Sequence, residues 1–229
     1  MLLLALALLV LYFLTGSLQS PIQNAGRDPL GFVYFVIAIV LAITVHEFMH
    51  AYAAHRLGDD TGRLMGRMTF DPRAHFDLFG SLLLIVAGFG YGKPVPFNES
   101  RLRSSASVAL VAAAGPLSNV VLAALFALPL RFGSASTLGV EYQRFLLSVV
   151  QINCILAVFN LLPIPPLDGS NVVYGLLPPR QRFSWRQFQQ YGPFVLLGLL
   201  LLGQRILFTL VYTPAIWLMT FLLGPGFIR

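Results

Sequence analysis

The sequence predicts an all-α polytopic membrane protein, with about six transmembrane helices and a small β-hairpin or re-entrant segment near residues 88–98. Of its 229 residues, 57% are hydrophobic and only 10% are charged. A soluble domain carries about 25% charged residues, so most of this surface must face something other than water. We found no linker or repeat, and we therefore interpret residues 1–229 as a single membrane-embedded domain.

The predicted spans follow one another with short connections. Residues 2–18 form the first; no Lys or Arg precedes them and no small-residue cleavage site closes them, so we expect a retained span rather than a signal peptide. Gly203, Gln204 and Arg205 divide the last apolar stretch into two shorter spans. The remaining predicted spans are residues 30–57, 107–130, 142–163, 192–203 and 206–223.

The largest polar segment, residues 58–106, separates the second and third spans. It contains GFGYGKPVPFN at residues 88–98, where glycines and two prolines forbid a continuous helix. Irregular backbone near a membrane is tolerated only where it is buried in protein or lines a wet cavity. Residues 88–98 are therefore a candidate binding edge.

The formal charge of +6 does not indicate a nucleic-acid partner, because the basic residues lie in short loops between the spans. We place the N-terminus in the cytoplasm. Eleven of the 15 Lys and Arg residues then lie inside, as the positive-inside rule favours. The prediction is a multi-pass protein of the cell membrane. The lone Cys154 excludes an intrachain disulfide, and we expect it to serve packing only.

The motif HEFMH lies near the end of the second predicted span. On a helix, His46 and His50 lie about 40° apart around the axis, so both imidazoles can reach one zinc ion at about 2.0–2.1 Å. Glu47 lies beside that face, where it can act as general acid and base. The alternative is a pair of interfacial histidines that cap a span. The apolar run over residues 31–45 argues against it, because ionisable side chains next to such a run are costly in a membrane and usually have a function.

Catalytic zinc usually has three protein ligands and one open position. Asp168 follows an apolar helix that breaks at NLLPIPPLDGS, and it is our expected third ligand. His55 should face away from His50. His75 should order its loop through a hydrogen bond, with metal ligation as the less favoured alternative. We expect Asp59 and Asp60 to be solvated. Asp71 and Asp77 stay possible ligands, although their loop can remain hydrated.

Several segments in the same order resemble the site-2 protease family of intramembrane zinc metalloproteases. They are HEFMH, AAGPLSN at residues 113–119, GFGYGKPVPFN, and NLLPIPPLDG more than a hundred residues after HEFMH. The resemblance implies regulated intramembrane proteolysis, within the lipid bilayer, of single-pass membrane proteins. It also implies a minimal form, because the chain has no insertion large enough for the accessory domains of many relatives.

The resemblance further implies a role for each site residue. His46, His50 and Asp168 would ligate one Zn²⁺ per chain, towards the cytoplasmic side, and Glu47 would be the general acid and base. Asn160 would hold the substrate backbone or the developing oxyanion. The substrate would bind as an added strand to Gly88, Phe89, Gly90, Pro94, Val95 and Pro96.

Three alternative functions would require different features of the sequence. A metal or proton transporter using His46, His50 and Asp168 would need further ionisable groups across the bilayer, and the predicted spans contain almost none. A non-catalytic membrane scaffold would be expected to lose Glu47. Other membrane zincins usually take a Glu from a later helix as the third metal ligand. The Asp168-Gly169 pair after a broken helix argues against that class. The sequence does not specify the substrate, the cleavage position or the oligomeric state.

Overall fold

The computed structural model describes residues 25–77, 80, 92–133, 139–201 and 203–224. The predicted first span and three predicted substrate-binding residues, Gly88, Phe89 and Gly90, lie outside these ranges. The described α-helices are α1 (Pro29–Arg56), α2 (Thr61–Leu64), α3 (Ser105–Phe132), α4 (Val140–Leu161), α5 (Asp168–Leu176), α6 (Pro179–Leu201) and α7 (Gln204–Leu223). Short 3-10 turns cover Pro72–Ala74 and Glu99–Arg101.

Among the described helices, α1, α3 and α4 are long and apolar enough to cross a membrane. They contain 28, 28 and 22 residues and occupy the predicted spans at residues 30–57, 107–130 and 142–163. The apolar part of α7, Thr209–Leu223, is shorter. The helical, membrane-spanning class is thus confirmed, whereas the total of six spans remains a prediction.

Local sequence signals set the starts of two of these helices. Asp28 accepts a hydrogen bond at Oδ1 from the Gly31 amide (3.0 Å), and Pro29 occupies the first helical position of α1, where its missing N–H costs nothing. Ser104 caps α3 by accepting from the Ser107 amide through Oγ (3.3 Å). These caps satisfy backbone donors that a helix start otherwise leaves without a partner.

Helix α3 lies at the centre and packs against α1, α4, α5 and α7. Small buried residues such as Ala42 of α1, Ala123 of α3 and Ala157 of α4 line these contacts. Small side chains let helix backbones approach closely, which is how helices associate in a bilayer that offers no hydrophobic drive. Cys154 is buried in the cluster formed by α3, α4 and α7, which confirms its packing role.

The part of the predicted β-hairpin that is described, residues 92–98, contains no strand. It forms one isolated antiparallel bridge, between Gly92 and Phe76. Pro94 and Pro96 remove two of the N–H groups that a ladder would need, which explains the irregular backbone. The β-hairpin is therefore not confirmed, and residues 88–91 lie outside the described part of the chain.

The expectation that Asp59 is solvated is wrong. Its side chain is 0% exposed, and its carboxylate accepts hydrogen bonds from the amide and hydroxyl of Thr61 and from the amide of Asn98. The polar composition of the loop suggested hydration, but three protein donors replace the water. Its neighbour Asp60 keeps 43% of its side chain exposed, as expected.

Replacing Leu146 of α4 by Ala should destabilise the helix bundle, because Leu146 is 2% exposed in the α3–α4–α7 cluster. We expect the free energy of unfolding to fall by about 1–3 kcal/mol, since lipid is as apolar as the core and mainly the packing is lost. Thermal unfolding in detergent micelles measures this. Leu110→Ala, at a position that is 59% exposed, is the matched control and should change the melting temperature little.

Candidate metal centre

Two helices deliver three ligand groups to one point. His46 and His50 lie one turn apart on α1, and Asp168 is the first residue of α5. Asp168 Oδ2 lies 3.0 Å from His46 Nε2 and 3.2 Å from His50 Nε2, and the two Nε2 atoms are 3.0 Å apart. Both histidines are buried, and Asp168 is mostly buried. These three residues form a group that could hold a metal ion.

A hydrogen bond at Nδ1 of His46, the ring nitrogen that does not contact Asp168, fixes the tautomer of the ring. His46 Nδ1 lies 2.6 Å from Asn119 Oδ1. The amide nitrogen of Asn119 donates to the Ala42 carbonyl (3.1 Å) and to Asn153 Oδ1 (2.8 Å), so its oxygen must face the histidine. His46 Nδ1 is therefore the donor, and the neutral ring has a bare lone pair at Nε2.

His50 is held in the same way. Its Nδ1 lies 2.8 Å from the carbonyl oxygen of Val111, which can only accept, so Nδ1 donates and Nε2 of the neutral ring carries a lone pair. The site thus presents two nitrogen lone pairs and a carboxylate oxygen within about van der Waals contact. These lone pairs repel one another unless a metal ion or a proton lies among them. Zinc–ligand distances of 2.0–2.1 Å in a tetrahedral site separate the ligand atoms by about 3.3 Å, and the observed triangle fits that size.

Gly115 of α3 provides the space for this cluster. A Cβ atom at this position would lie 2.3 Å from His50 Nε2 and 2.7 Å from His46 Nε2. Any side chain there would occupy the volume in which the two imidazoles converge. The glycine therefore lets the backbone of α3 pass directly beside the candidate metal position.

Asp168 is positioned by the turn between α4 and α5. At the next residue, Gly169, a Cβ atom would lie 2.2 Å from the Leu161 carbonyl oxygen, so the start of α5 touches the end of α4. Helix α6 fixes α5 from the other side, because Trp185 Nε1 donates to the Ser170 carbonyl and Gln189 Nε2 lies 3.0 Å from Ser170 Oγ. The start of α5, where Asp168 lies, is thus held by contacts with α4 and α6.

Glu47 contacts the predicted substrate-binding segment. Its Oε2 accepts a hydrogen bond from the Val95 amide at 3.1 Å. A Cβ atom at Gly92 would lie 3.9 Å from Glu47 Oε1, so the chain passes close to both carboxylate oxygens. Val95 is buried, Pro96 is partly buried and Pro94 is exposed. The structure thus brings the described part of the segment, from Gly92 to Val95, to the carboxylate of Glu47.

The other candidate residues have partners elsewhere. His75 is buried and its Nε2 bonds the Thr69 carbonyl (2.8 Å), which is the loop-ordering hydrogen bond that we expected. His55 bonds Asp60 (2.6 Å). Asp71 pairs with Arg73, and Asp77 accepts from the Gly80 amide. The Asn160 amide donates to the Leu156 carbonyl of its own helix (3.0 Å).

Sequence reasoning missed the residues that orient the histidines. Asn119 was noted only as part of the AAGPLSN segment, and neither Asn153 nor Gly115 was given a role. A signal was present, because a side-chain amide within an apolar span needs a hydrogen-bond partner. Which partner it takes depends on helix packing, and the spacing of residues along the chain does not contain that information.

The family model described as Peptidase family M50 matches residues 34–139 and 129–203, which include all three ligand groups. The chain belongs to Peptidase family M50. This is the family of the site-2 proteases, so the resemblance that we described is confirmed. As a member, the protein is a membrane-embedded zinc metalloprotease that acts on membrane protein substrates.

Three relatives are named, provisionally, as zinc metalloproteases. YwhC of Bacillus subtilis is 37% identical over 189 residues, which cover 78% of this chain and 85% of YwhC. Rip2 of Mycobacterium tuberculosis is 32% identical and covers 83% of this chain and 74% of Rip2. MJ0611 of Methanocaldococcus jannaschii is 33% identical and covers 63% of this chain and 71% of MJ0611. No solved structure matches the chain significantly.

Replacing Gly115 by Ala should abolish zinc binding, because the new Cβ would meet both histidine Nε2 atoms at less than van der Waals distance. We expect zinc content, measured by elemental analysis of the purified protein, to fall from about one ion per chain to near zero. Gly198→Ala on α6 is the matched control, since nothing lies within 4 Å of a Cβ there. Full zinc content in Gly115→Ala would contradict the position that we assign to the metal.

Proposed function

We propose that His46, His50 and Asp168 hold one catalytic zinc ion per chain and that Glu47 is the general acid and base of an intramembrane endopeptidase. The convergence of His46 Nε2, His50 Nε2 and Asp168 Oδ2 within 3.2 Å of one another is the observation that carries this proposal. Glu47 follows the first of these ligands directly, as general-base chemistry at a HExxH zinc site requires. The single domain over residues 1–229 remains part of the proposal.

Zinc bound to these residues would activate water as a nucleophile and polarise the scissile carbonyl. The protein's own contribution to proton transfer comes from Glu47. The Val95 amide holds one carboxylate oxygen (3.1 Å), which leaves the other to take the proton of the attacking water. Glu47 then passes this proton to the leaving amine as the peptide bond breaks.

The substrate chain binds along residues 88–96 as an added strand. In residues 93–98 only four residues have an N–H, since Pro94 and Pro96 have none. Three of the four donate to the protein: Lys93 to the His75 carbonyl (2.7 Å), Val95 to Glu47, and Asn98 to Asp59. The segment therefore offers mainly carbonyl acceptors to a substrate. A helical substrate hides its own backbone groups and must unwind before it can bind in this way.

Asn160 stabilises the developing oxyanion. A side-chain amide has two N–H groups, and one of them donates to the Leu156 carbonyl (3.0 Å). We assign the second to the substrate carbonyl oxygen. The bond to Leu156 supports this role because it fixes the orientation of the amide, and preorganised donors stabilise a developing charge most effectively.

The metal centre faces the cytoplasmic side of the cell membrane, in a chain of six spans that cleaves single-pass substrates. Support for this orientation comes from the basic residues, eleven of which lie on that side in the proposed topology. They are Arg56, Arg63, Arg67, Arg73, Lys93, Arg101, Arg103, Arg180, Arg182, Arg186 and Arg229.

Glu47→Gln should abolish cleavage and retain zinc, because the amide keeps the shape of the side chain but cannot accept the proton of water. Wild type and variant are co-expressed with candidate single-pass membrane proteins, and product fragments are followed by immunoblotting. We expect a loss of at least about 1,000-fold in rate. Glu141→Gln, an exposed position at the start of α4, is the control and should cleave normally.

Cleavage that survives in Glu47→Gln would refute the proposed mechanism. Zinc that is lost in this variant would show instead that Glu47 supports the metal site.

The orientation of the chain in the membrane can be tested with the single-cysteine variants Arg103→Cys and Arg27→Cys. Both are made in a Cys154→Ala background, which removes the chain's one native thiol. Both positions are exposed in the structure, and the topology puts Arg103 inside and Arg27 outside. In intact cells, a membrane-impermeant maleimide should label Arg27→Cys at once and Arg103→Cys only after permeabilisation. The reverse pattern would overturn the orientation and leave the peptidase assignment intact.

A further inference from the structure

We propose that Asp59 and Arg67 are positioning residues that clamp residues 92–98 at both ends and so set the place at which this segment meets Glu47 and the substrate. Both side chains are buried, with exposures of 0% and 7%, although they belong to a polar loop. This inference rests on the proposed function, because it concerns the segment along which we expect the substrate to bind.

Asp59 holds the far end of the segment. Its Oδ2 accepts a hydrogen bond of 2.5 Å from the Asn98 amide, and its Oδ1 accepts from the amide (3.0 Å) and hydroxyl (2.5 Å) of Thr61. Burial raises the pKa of the Asp59 carboxyl, but the hydrogen bonds from Thr61 and Asn98 outweigh it and keep that pKa below its ordinary value. The group therefore stays ionised at neutral pH, and charge strengthens its bond to Asn98.

Arg67 holds the near end. Its guanidinium donates through one nitrogen to the carbonyl of Ala74 and, at 3.4 Å, to the carbonyl of Lys93. The Lys93 amide donates in turn to the His75 carbonyl at 2.7 Å. The amide of Lys93 thus bonds directly to the loop that contains residues 72–77, and its carbonyl is linked to the same loop through Arg67. A buried guanidinium needs such acceptors, and here the acceptors belong to the chain that has to be positioned.

The middle of the segment lies against α1 and α2. Val95 is buried, and a Cβ atom on Gly62 of α2 would lie 2.9 Å from Val95 Cγ1. The Val95 amide meets Glu47 Oε2 at 3.1 Å. With its two ends fixed by Arg67 and Asp59, the chain has little freedom to move this amide away from Glu47.

The clamp lies close in sequence to the helix that contains the site residues, so it can set the distance between that helix and residues 92–98. Asp59 follows the end of α1 by only three residues, and α1 also carries His46, Glu47 and His50. The Asp59 amide donates to the Ala54 carbonyl of that helix (2.9 Å), which fixes the backbone of Asp59 to it. The two histidines, Glu47 and the substrate segment are therefore all fixed to α1.

The same loop contains a matched control pair. Asp60 and Arg63 have the same charges as the clamp residues, and Asp60 adjoins Asp59 in sequence while Arg63 precedes Arg67 by four residues. Their side chains, however, are 43% and 49% exposed and pair with each other at 3.0 Å. Exposed pairs of this kind contribute little to stability. Changes at Asp60 and Arg63 should therefore leave residues 92–98 in place.

The test uses full-length, zinc-loaded protein in detergent, with the variants Asp59→Asn and Arg67→Gln and the controls Asp60→Asn and Arg63→Gln. Hydrogen–deuterium exchange is measured on peptides that cover residues 92–98. We expect amide exchange to accelerate at least about tenfold in both clamp variants and to stay at the wild-type rate in both controls. Zinc content should remain that of wild type in all four variants.

Steady-state kinetics provide the functional readout, with a single-pass substrate that wild type cleaves and Glu47→Gln does not. The clamp variants should raise KM about tenfold or more, and kcat should fall by a smaller factor, because substrate alignment is lost while zinc and Glu47 remain. A purely structural role would lower the fraction of active enzyme and would leave KM unchanged.

Unchanged exchange in residues 92–98 overturns the clamp, and faster exchange with an unchanged KM overturns its role in positioning. If Asp59→Asn fails to fold, Thr61→Val takes its place in the test. This variant removes the hydroxyl donor to Asp59 and leaves the bond to Asn98. Amide exchange in the peptides that cover residues 92–98 must then accelerate, but by a smaller factor than we expect for Asp59→Asn. Cleavage by Glu47→Gln would refute the proposed function, whereas the exchange experiment would still decide whether the clamp exists.

Discussion

The site depends on the orientation of two imidazole rings by a single helix. Helix α3 contributes both acceptors, the Asn119 side chain and the Val111 carbonyl, and these bind the Nδ1–H groups of His46 and His50. Both Nε2 atoms consequently point to the same place with free lone pairs. Gly115 of the same helix leaves that place open. If α3 rotated or slid along α1, the Nδ1–H groups would lose their acceptors, and the two Nε2 atoms would no longer point to the same place. Helix packing and metal affinity are therefore coupled.

A buried polar network makes this packing specific. Asn119 also donates to Asn153 of α4 and to the Ala42 carbonyl of α1, and Asn153 Nδ2 donates to the Val149 carbonyl (2.9 Å). Side-chain amides in an apolar bundle are costly unless their hydrogen bonds are complete. The amide nitrogen of Asn119 meets both of its acceptors only when α1, α3 and α4 adopt one register. The same atoms therefore select the arrangement of the helices and the tautomer of His46, a proposed metal ligand.

The sequence was informative where structure is local and misleading where it depends on packing. Helical periodicity alone puts His46 and His50 on one face, and the break around Asp168 marked the third group, which the structure brings within 3.2 Å of both histidines. By contrast, Asp59 was expected to be solvated because only its neighbours in sequence were visible. Its donor Asn98 comes from a distant part of the chain. The partners of Asn119 were hidden for the same reason, since they lie on other helices.

The composition of the ligand set has a consequence for oxidative chemistry. The proposed ligands His46, His50 and Asp168 offer nitrogen and oxygen atoms, and the chain's one thiol, Cys154, is fully buried in the bundle core. Centres built on thiolates lose zinc when sulfur is oxidised to a disulfide or a sulfenic acid. Here no ligand atom can follow that route, and the single sulfhydryl is shielded from solvent. Peroxide that releases zinc from cysteine-ligated proteins by oxidising sulfur would find no sulfur among the proposed ligands of this site.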